Sequence, residues 1–137
     1  MRYLLDTDII SNLMRRAPST ALVRRLASVD PADQFTSSIT LGELVYGANR
    51  VADRRTALLE QIDAVIGTDL PVLPFDDAAA RRYGDIRAEL ERNGTPIGDA
   101  DMRIAAIGLV HELTLVTGNV RHFDRVPALS VENWLDE

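Results

Sequence analysis

Carboxylates gathered from distant parts of a chain are the residues from which acid–base or metal chemistry is built. Four stretches of this sequence supply them. In "YLLDTDIIS", residues 3 to 11, an apolar run stops at Asp6, and a second acid, Asp8, follows Thr7. "SSITLGELVYGA", residues 37 to 48, carries Glu43. "PIGDADMRIAA", residues 96 to 106, carries Asp99 and Asp101. "VTGNVRHF", residues 116 to 123, places Asn119 after an apolar run. A charge at the end of a buried strand needs a partner, so Asp6 reads as functional, while Asp8 reads as the cap of the helix that follows. Glu43 has two readings. With Thr40 it forms T-x-x-E, a capping box, or it points from its helix into the same cleft as Asp6. Asp99 and Asp101 stand where a helix begins, where the dipole favours acids. Residues two apart do not share a helix face, so both reach one ion only if Asp99 is still in the loop. Gly118-Asn119 is a natural turn.

The elements that must position these groups follow from periodicity and capping signals. Residues 2–5 read as a buried strand and about 9–15 as a helix. A second helix opens at Pro18-Ser19 with Leu22 and Leu26 on one face. Phe35-Thr36-Ser37 is a short strand. Helices cover about 39–50 and 53–66, and Val72-Leu73 is a strand between prolines. Asp76 caps a long helix that Asn93-Gly94 stops. An almost wholly apolar helix over 99–111 must be buried. "LTLVT", 113–117, is a buried strand, and "LSV", 129–131, is a last edge strand. Trp134 docks the tail. Short apolar strands alternating with helices imply an α/β fold with a mainly parallel sheet, in one domain over residues 1–137. Open parallel sheets carry their sites beyond the carboxyl ends of the strands, which is where Asp6 and Asn119 fall.

Composition narrows the chemistry. The chain has 137 residues, 46% apolar and 26% charged, as expected for a globular protein. No apolar stretch is long enough to span a membrane. The first strand starts at once, without a signal peptide, and there is no cysteine for disulfides or thiolate metal sites. These features favour the cytoplasm. The net charge of −6 speaks against a generic nucleic-acid binder. All 15 basic residues are arginines, several in pairs such as Arg15-Arg16, so a local basic rim for phosphate is still available. Clustered carboxylates with no cysteine and no paired histidine specify a hard cation, Mg²⁺ or Mn²⁺, which suits hydrolysis of phosphate esters. An aspartate-based phosphatase of another α/β fold is the rival chemistry, but such enzymes normally use a lysine to hold the phosphoryl group and this chain has none. No nucleophile elbow and no P-loop occur. A catalytically idle binding domain is the third reading.

Taken in order and with their spacing, "LLDTDIIS", "SSITLGELVYGA", "IRAELERNGTPIGDADMRIAA" and "LTLVTGNVRHFDRVPALSVENW" resemble the PIN-domain ribonucleases, specifically the VapC toxins of type II toxin–antitoxin systems, over essentially the whole chain. Within that family the chain looks most like the branch that cuts initiator tRNA. The resemblance implies a three-layer α/β/α fold with a central sheet of four or five strands and about seven helices. It implies that Asp6, Glu43 and Asp101 are catalytic metal ligands, with Asp99 an additional carboxylate of the metal set. Asn119 stands where the family often has a fourth acid, and His122 where an Asp commonly precedes Phe123. Asn119 and Thr7 would then position water or substrate, and Arg15, Arg16 and Arg103 would hold the RNA backbone. It further implies a Mg²⁺-dependent endoribonuclease leaving a 5′-phosphate and a 3′-hydroxyl. Its partners would be a cognate VapB-type antitoxin, an RNA substrate of the tRNA class, and a second copy of the chain in a homodimer and toxin–antitoxin hetero-oligomer. Leu13, Leu22 and Leu26 would either line an antitoxin groove or pack in the core.

Overall fold

The chain enters its sheet in the middle. In the computed structural model, which describes residues 1–67 and 69–135, β1 (Tyr3–Leu5) is the central strand, and β2 (Gln34–Ser37), β3 (Val72–Leu73), β4 (Thr114–Val116) and β5 (Val131–Glu132) join it in the order β3-β2-β1-β4-β5. Every pairing is parallel, with Leu4 opposite both Phe35 and Leu115. From β1 the chain winds to one edge through β2 and β3, then crosses to the other side for β4 and β5. The strand order therefore reverses between β1 and its two neighbours, the point at which a crevice opens beyond the carboxyl ends of a parallel sheet.

Three residues of β1 hold two cores apart. Side chains of a strand alternate between faces. Tyr3 and Leu5 join Ile9, Ile10, Leu22, Leu44, Ile62 and Trp134 in one buried cluster, and Leu4 enters the other with Ile86, Leu90, Ile104, Ile107, Leu115 and Phe123. The first core is covered by α1 (Thr7–Leu13), α2 (Thr20–Ala27), α3 (Ser38–Asn49) and α4 (Arg55–Val65). The second is built on α5 (Asp77–Arg92) and α6 (Asp99–Val110). The result is the three-layer α/β/α architecture, with seven α-helices among the described residues once the four-residue α7 (Val120–Phe123) is included. Helix α6 is apolar all round because β1 and β4 lie on one side of it and α5 on the other; Ile104 through Ile107 are completely buried. Leu22 is a core residue, and Leu13 and Leu26 pack against the same cluster. Trp134 meets Tyr3 edge-on with ring centroids 4.8 Å apart.

Three boundaries differ from the sequence reading. Helix α1 starts at Thr7, not at 9, and its cap is Asp6, not Asp8: Asp6 has extended backbone and its carboxylate accepts the Thr7 N–H. Strand passes into helix without a loop, which places Asp8 inside the first turn. The last strand lies at Val131–Glu132 because Leu129 is taken into the core and the register pairs Leu115 with Val131. Residues 120–123 are helical, too short a span for periodicity to reveal. The start of α3 is set by Ser37, whose hydroxyl accepts the Thr40 N–H at 3.0 Å. Replacing Ser37 by Ala should lower stability by about 1–2 kcal/mol, read as a shifted midpoint in urea at unchanged slope.

Candidate active site

Asp6 is 6% exposed, an unusual place for a carboxylate. Its backbone N–H donates to the Val116 carbonyl at 3.0 Å, extending the β1–β4 ladder by one residue. One carboxylate oxygen accepts the Thr7 N–H at 2.8 Å, and the other accepts the hydroxyl of Thr117, the buried residue just past β4, also at 2.8 Å. Two neutral donors do not offset the loss of water. Burial pushes the Asp6 carboxyl up to about 7, and the charges of Asp8 and Asp101 push the same way.

Asp101 reaches this crevice from the first turn of α6. It is half-buried, and its carboxyl is raised first by burial, then by the charges of Glu43 and Asp8, while His122 opposes the shift. Glu43, from α3, accepts the Thr7 hydroxyl at 2.6 Å, and the Thr40 hydroxyl lies 3.1 Å from that same oxygen of Thr7. Since Ser37 caps α3, Glu43 is not the second half of a capping box; its side chain belongs to the crevice.

Asp8 is the residue that capping logic misplaced. One of its oxygens accepts the Gly118 N–H at 2.8 Å, tying the first turn of α1 to the chain leaving β4. Gly118 must be a glycine for this: a Cβ there would lie 2.8 Å from that Asp8 oxygen and 2.9 Å from Leu135 Cδ1. The D-x-D spacing and the Thr-Gly pair after a buried strand were visible signals, but only the parallel pairing of β1 with β4 makes them neighbours. Thr117, which orients Asp6, was missed for the same reason.

The remaining candidates divide. Asn119 donates its backbone N–H to the Thr117 hydroxyl at 3.0 Å, and its amide nitrogen lies 2.9 Å from His122 Nδ1. His122 Nδ1 is in turn 3.9 Å from Asp101. The structure does not bring Asp99 to these acids. It is the first residue of α6, so it and Asp101 diverge around the helix. Its carboxylate accepts the Tyr83 hydroxyl and, at 2.8 Å, Arg103 Nε, which together hold it below the usual carboxylate range. Arg103 is accordingly committed to Asp99 and stacks over the rings of Phe75 and Tyr83. Arg15 and Arg16 line an open groove of about 840 Å³ that Thr7 and Glu43 also line. Arg15 also borders a depression of about 600 Å³ beside Asp8, Gly118 and Asn119.

Burial raises the carboxyls of Asp6 and Asp101, and the neighbouring charges of Asp8 and Asp101 on the one and of Glu43 and Asp8 on the other add to it, an arrangement that a bound cation relieves. Among the described residues no three carboxylate or imidazole side chains are drawn close enough to ligate one ion. The oxygen-only chemistry of the acids fits a hard divalent ion with flexible demands on ligand number.

Comparison with known proteins agrees with this arrangement. Residues 3–129 match the PIN domain, a family of metal-dependent nucleases. The tRNA(fMet)-specific endonuclease VapC of Shigella flexneri is 37% identical over 136 residues, which cover 98% of each chain. Two solved complexes superpose closely. DNA-bound VapBC from Salmonella typhimurium gives a TM-score of 0.88 at 35% identity, covering 98% of both chains. VapBC2 from Rickettsia felis, bound to a DNA fragment from its promoter, gives 0.89 at 31% identity, covering 98% of this chain and 99% of that one. With a full-length match in sequence and in fold, and acids converging where its sheet reverses, this chain belongs to the PIN-domain family, in its VapC branch.

Proposed function

We propose that this protein is the toxin of a type II toxin–antitoxin pair, a divalent-metal-dependent endoribonuclease whose substrate is tRNA. The observation that carries this reading is Asp6: a carboxylate buried at the switch point of the sheet, raised to about 7 and facing further acids, is a poor structural element and a good metal ligand. Asp6, Glu43 and Asp101 would hold the ion, with Mg²⁺ as the biological one and Mn²⁺ as a substitute. When bound, the ion neutralises charge on the scissile phosphate and activates water for attack on it.

The chain's own groups do the positioning. The Thr7 N–H and the Thr117 hydroxyl fix both oxygens of Asp6, and the Thr7 hydroxyl fixes Glu43. Asn119, beside Thr117 and His122, presents an amide toward water or substrate. Arg15 and Arg16, on the groove adjoining Glu43, hold the RNA backbone against an otherwise acidic site. Arg103 is assigned no such role, because Asp99 and two rings already occupy it. The products carry a 5′-phosphate and a 3′-hydroxyl. A VapB-type antitoxin, acting in the cytoplasm, neutralises the toxin in a hetero-oligomer built on a toxin homodimer. The solved relatives are VapBC complexes, and no helix among the described residues is long and apolar enough to cross a membrane.

The test is to incubate antitoxin-free protein with total tRNA in Mg²⁺ or in EDTA, beside Asp6→Asn. Cleavage that needs Mg²⁺ and disappears in the variant is the expected result. Hydrolysis of a small phosphate monoester with intact tRNA would replace the proposal by a phosphatase, and a folded protein inert in every lane would leave a binding domain.

A further inference from the structure

The family resemblance expects a fourth acid after β4, and this chain has Asn119 there. The fold supplies a carboxylate at the same place from another element. Asp8, in the first turn of α1, reaches across to the first residues past β4 and docks on the Gly118 N–H at 2.8 Å. Its second oxygen lies 3.5 Å from the Thr117 hydroxyl. That hydroxyl has one proton and gives it to Asp6 at 2.8 Å, so the second oxygen of Asp8 keeps its lone pairs. The carboxylates of Asp6 and Asp8 both approach the Thr117 hydroxyl, at 2.8 and 3.5 Å, so an oxygen of each lies beside the same group past β4. The socket that receives it depends on the missing side chain at Gly118, where a Cβ would collide with the carboxylate.

We propose that Asp8 is the fourth metal-ligating carboxylate of this site, one oxygen docked on the Gly118 N–H and the other available as a ligand, in place of the acid absent at position 119. Arrival from the helix side, not from the turn after β4, leaves an uncharged amide at position 119, paired with His122. This rests on the reading that the site binds a divalent cation, and the experiment separates the two.

Mn²⁺ binding to the full-length, antitoxin-free protein is measured at pH 8 by calorimetry and by water-proton relaxation, for the wild type, Asp8→Asn, Asp8→Ser and Asp99→Asn. Asp8→Asn keeps an acceptor for the Gly118 N–H and removes only the charged ligand. Its affinity for Mn²⁺ should fall at least tenfold, and the relaxation enhancement per bound ion should rise as water takes the vacated position. Asp8→Ser should show the same loss, and Asp99→Asn, which removes an equal charge turned toward Arg103, should change affinity less than twofold. Wild-type affinity in Asp8→Asn would overturn the proposal and leave the nuclease reading standing. So would equal losses in Asp8→Asn and Asp99→Asn, since the effect would then be one of overall charge. No Mn²⁺ binding by the wild type would overturn the cation reading and the role of Asp8 with it.

Discussion

Replacing Asp6 by Asn should abolish RNA cleavage and, at pH 8 without divalent ions, make the protein more stable. The two effects have one cause. Asp6 is 6% exposed and its carboxyl is pushed from 3.8 up to about 7 by burial and by neighbouring acids. A carboxyl whose pKa is raised on folding holds its proton in the native state when the unfolded chain has lost it. Its stabilising contribution is complete below pH 3.8 and is lost as pH rises through about 7. Above that, the native state must bury a charge that the unfolded chain leaves in water, at a cost of up to about 4 kcal/mol. Asn has nearly the same shape, accepts the Thr7 N–H and donates to the Thr117 hydroxyl, but never ionises. The variant's melting temperature at pH 8 in EDTA should therefore exceed the wild type's by several degrees. Between pH 5 and pH 8 the wild type should lose stability relative to the variant. Millimolar Mg²⁺ should raise the melting temperature of the wild type and leave the variant little changed, because ligands stabilise the state they bind. Cleavage should fall by at least about 100-fold, a modest estimate for a lost ligand to a catalytic ion. An Asp6→Asn protein that melts earlier than the wild type at pH 8 would show that Asp6 is not held under electrostatic stress.

Gly118→Ala should destabilise the protein and impair cleavage together. The new carbon would sit 2.8 Å from an Asp8 oxygen and 2.9 Å from Leu135 Cδ1. Leu135 can turn, but Asp8 is held on the Gly118 N–H itself, so its carboxylate must leave or the turn after β4 must move. Overpacking of this kind costs about 1–3 kcal/mol. Displacing Asp8 also disturbs Thr117 and hence Asp6, so cleavage should drop by at least about tenfold, a loss of roughly 1.4 kcal/mol in transition-state stabilisation. The paired control is Gly84→Ala, on the exposed side of α5 with nothing near the added carbon. It should leave cleavage unchanged and raise stability by about 0.5–1 kcal/mol. Equal behaviour of the two variants in thermal melts and in the RNA assay would refute the steric account.

Periodicity revealed most of the fold because most of it is local. Helices α3, α5 and α6 have apolar stripes, caps and stops written in consecutive residues, and their observed ends lie within about two residues of the sequence reading, a normal margin for helix boundaries. Asp6 was legible as a site candidate because a charge ends a buried apolar strand there, whereas Glu43 and Asp101 were singled out by the resemblance to the PIN-domain family. The misreadings concern relations between elements. Asp8 looked like a cap because capping is judged from the residues that follow, whereas its partner is Gly118, 110 positions away. Glu43 had two equal readings until Ser37 took the cap of α3. Asp99 was expected to add a carboxylate to the metal set beside Asp101, but the helix begins at Asp99 and turns it toward Tyr83 and Arg103.

By itself the sequence determined which layers form and which acids interrupt them, because burial and helix capping act over a few neighbouring residues. Only the tertiary structure decided which of those acids face one another. The parallel pairing of β1 with β4 sets Asp6 and Asp8 against Thr117 and Gly118, and the start of α6 adds Asp101 while excluding Asp99. Electrostatic and hydrogen-bond coupling falls off with distance in space, and that distance is set by strand order and helix phase, not by separation along the chain.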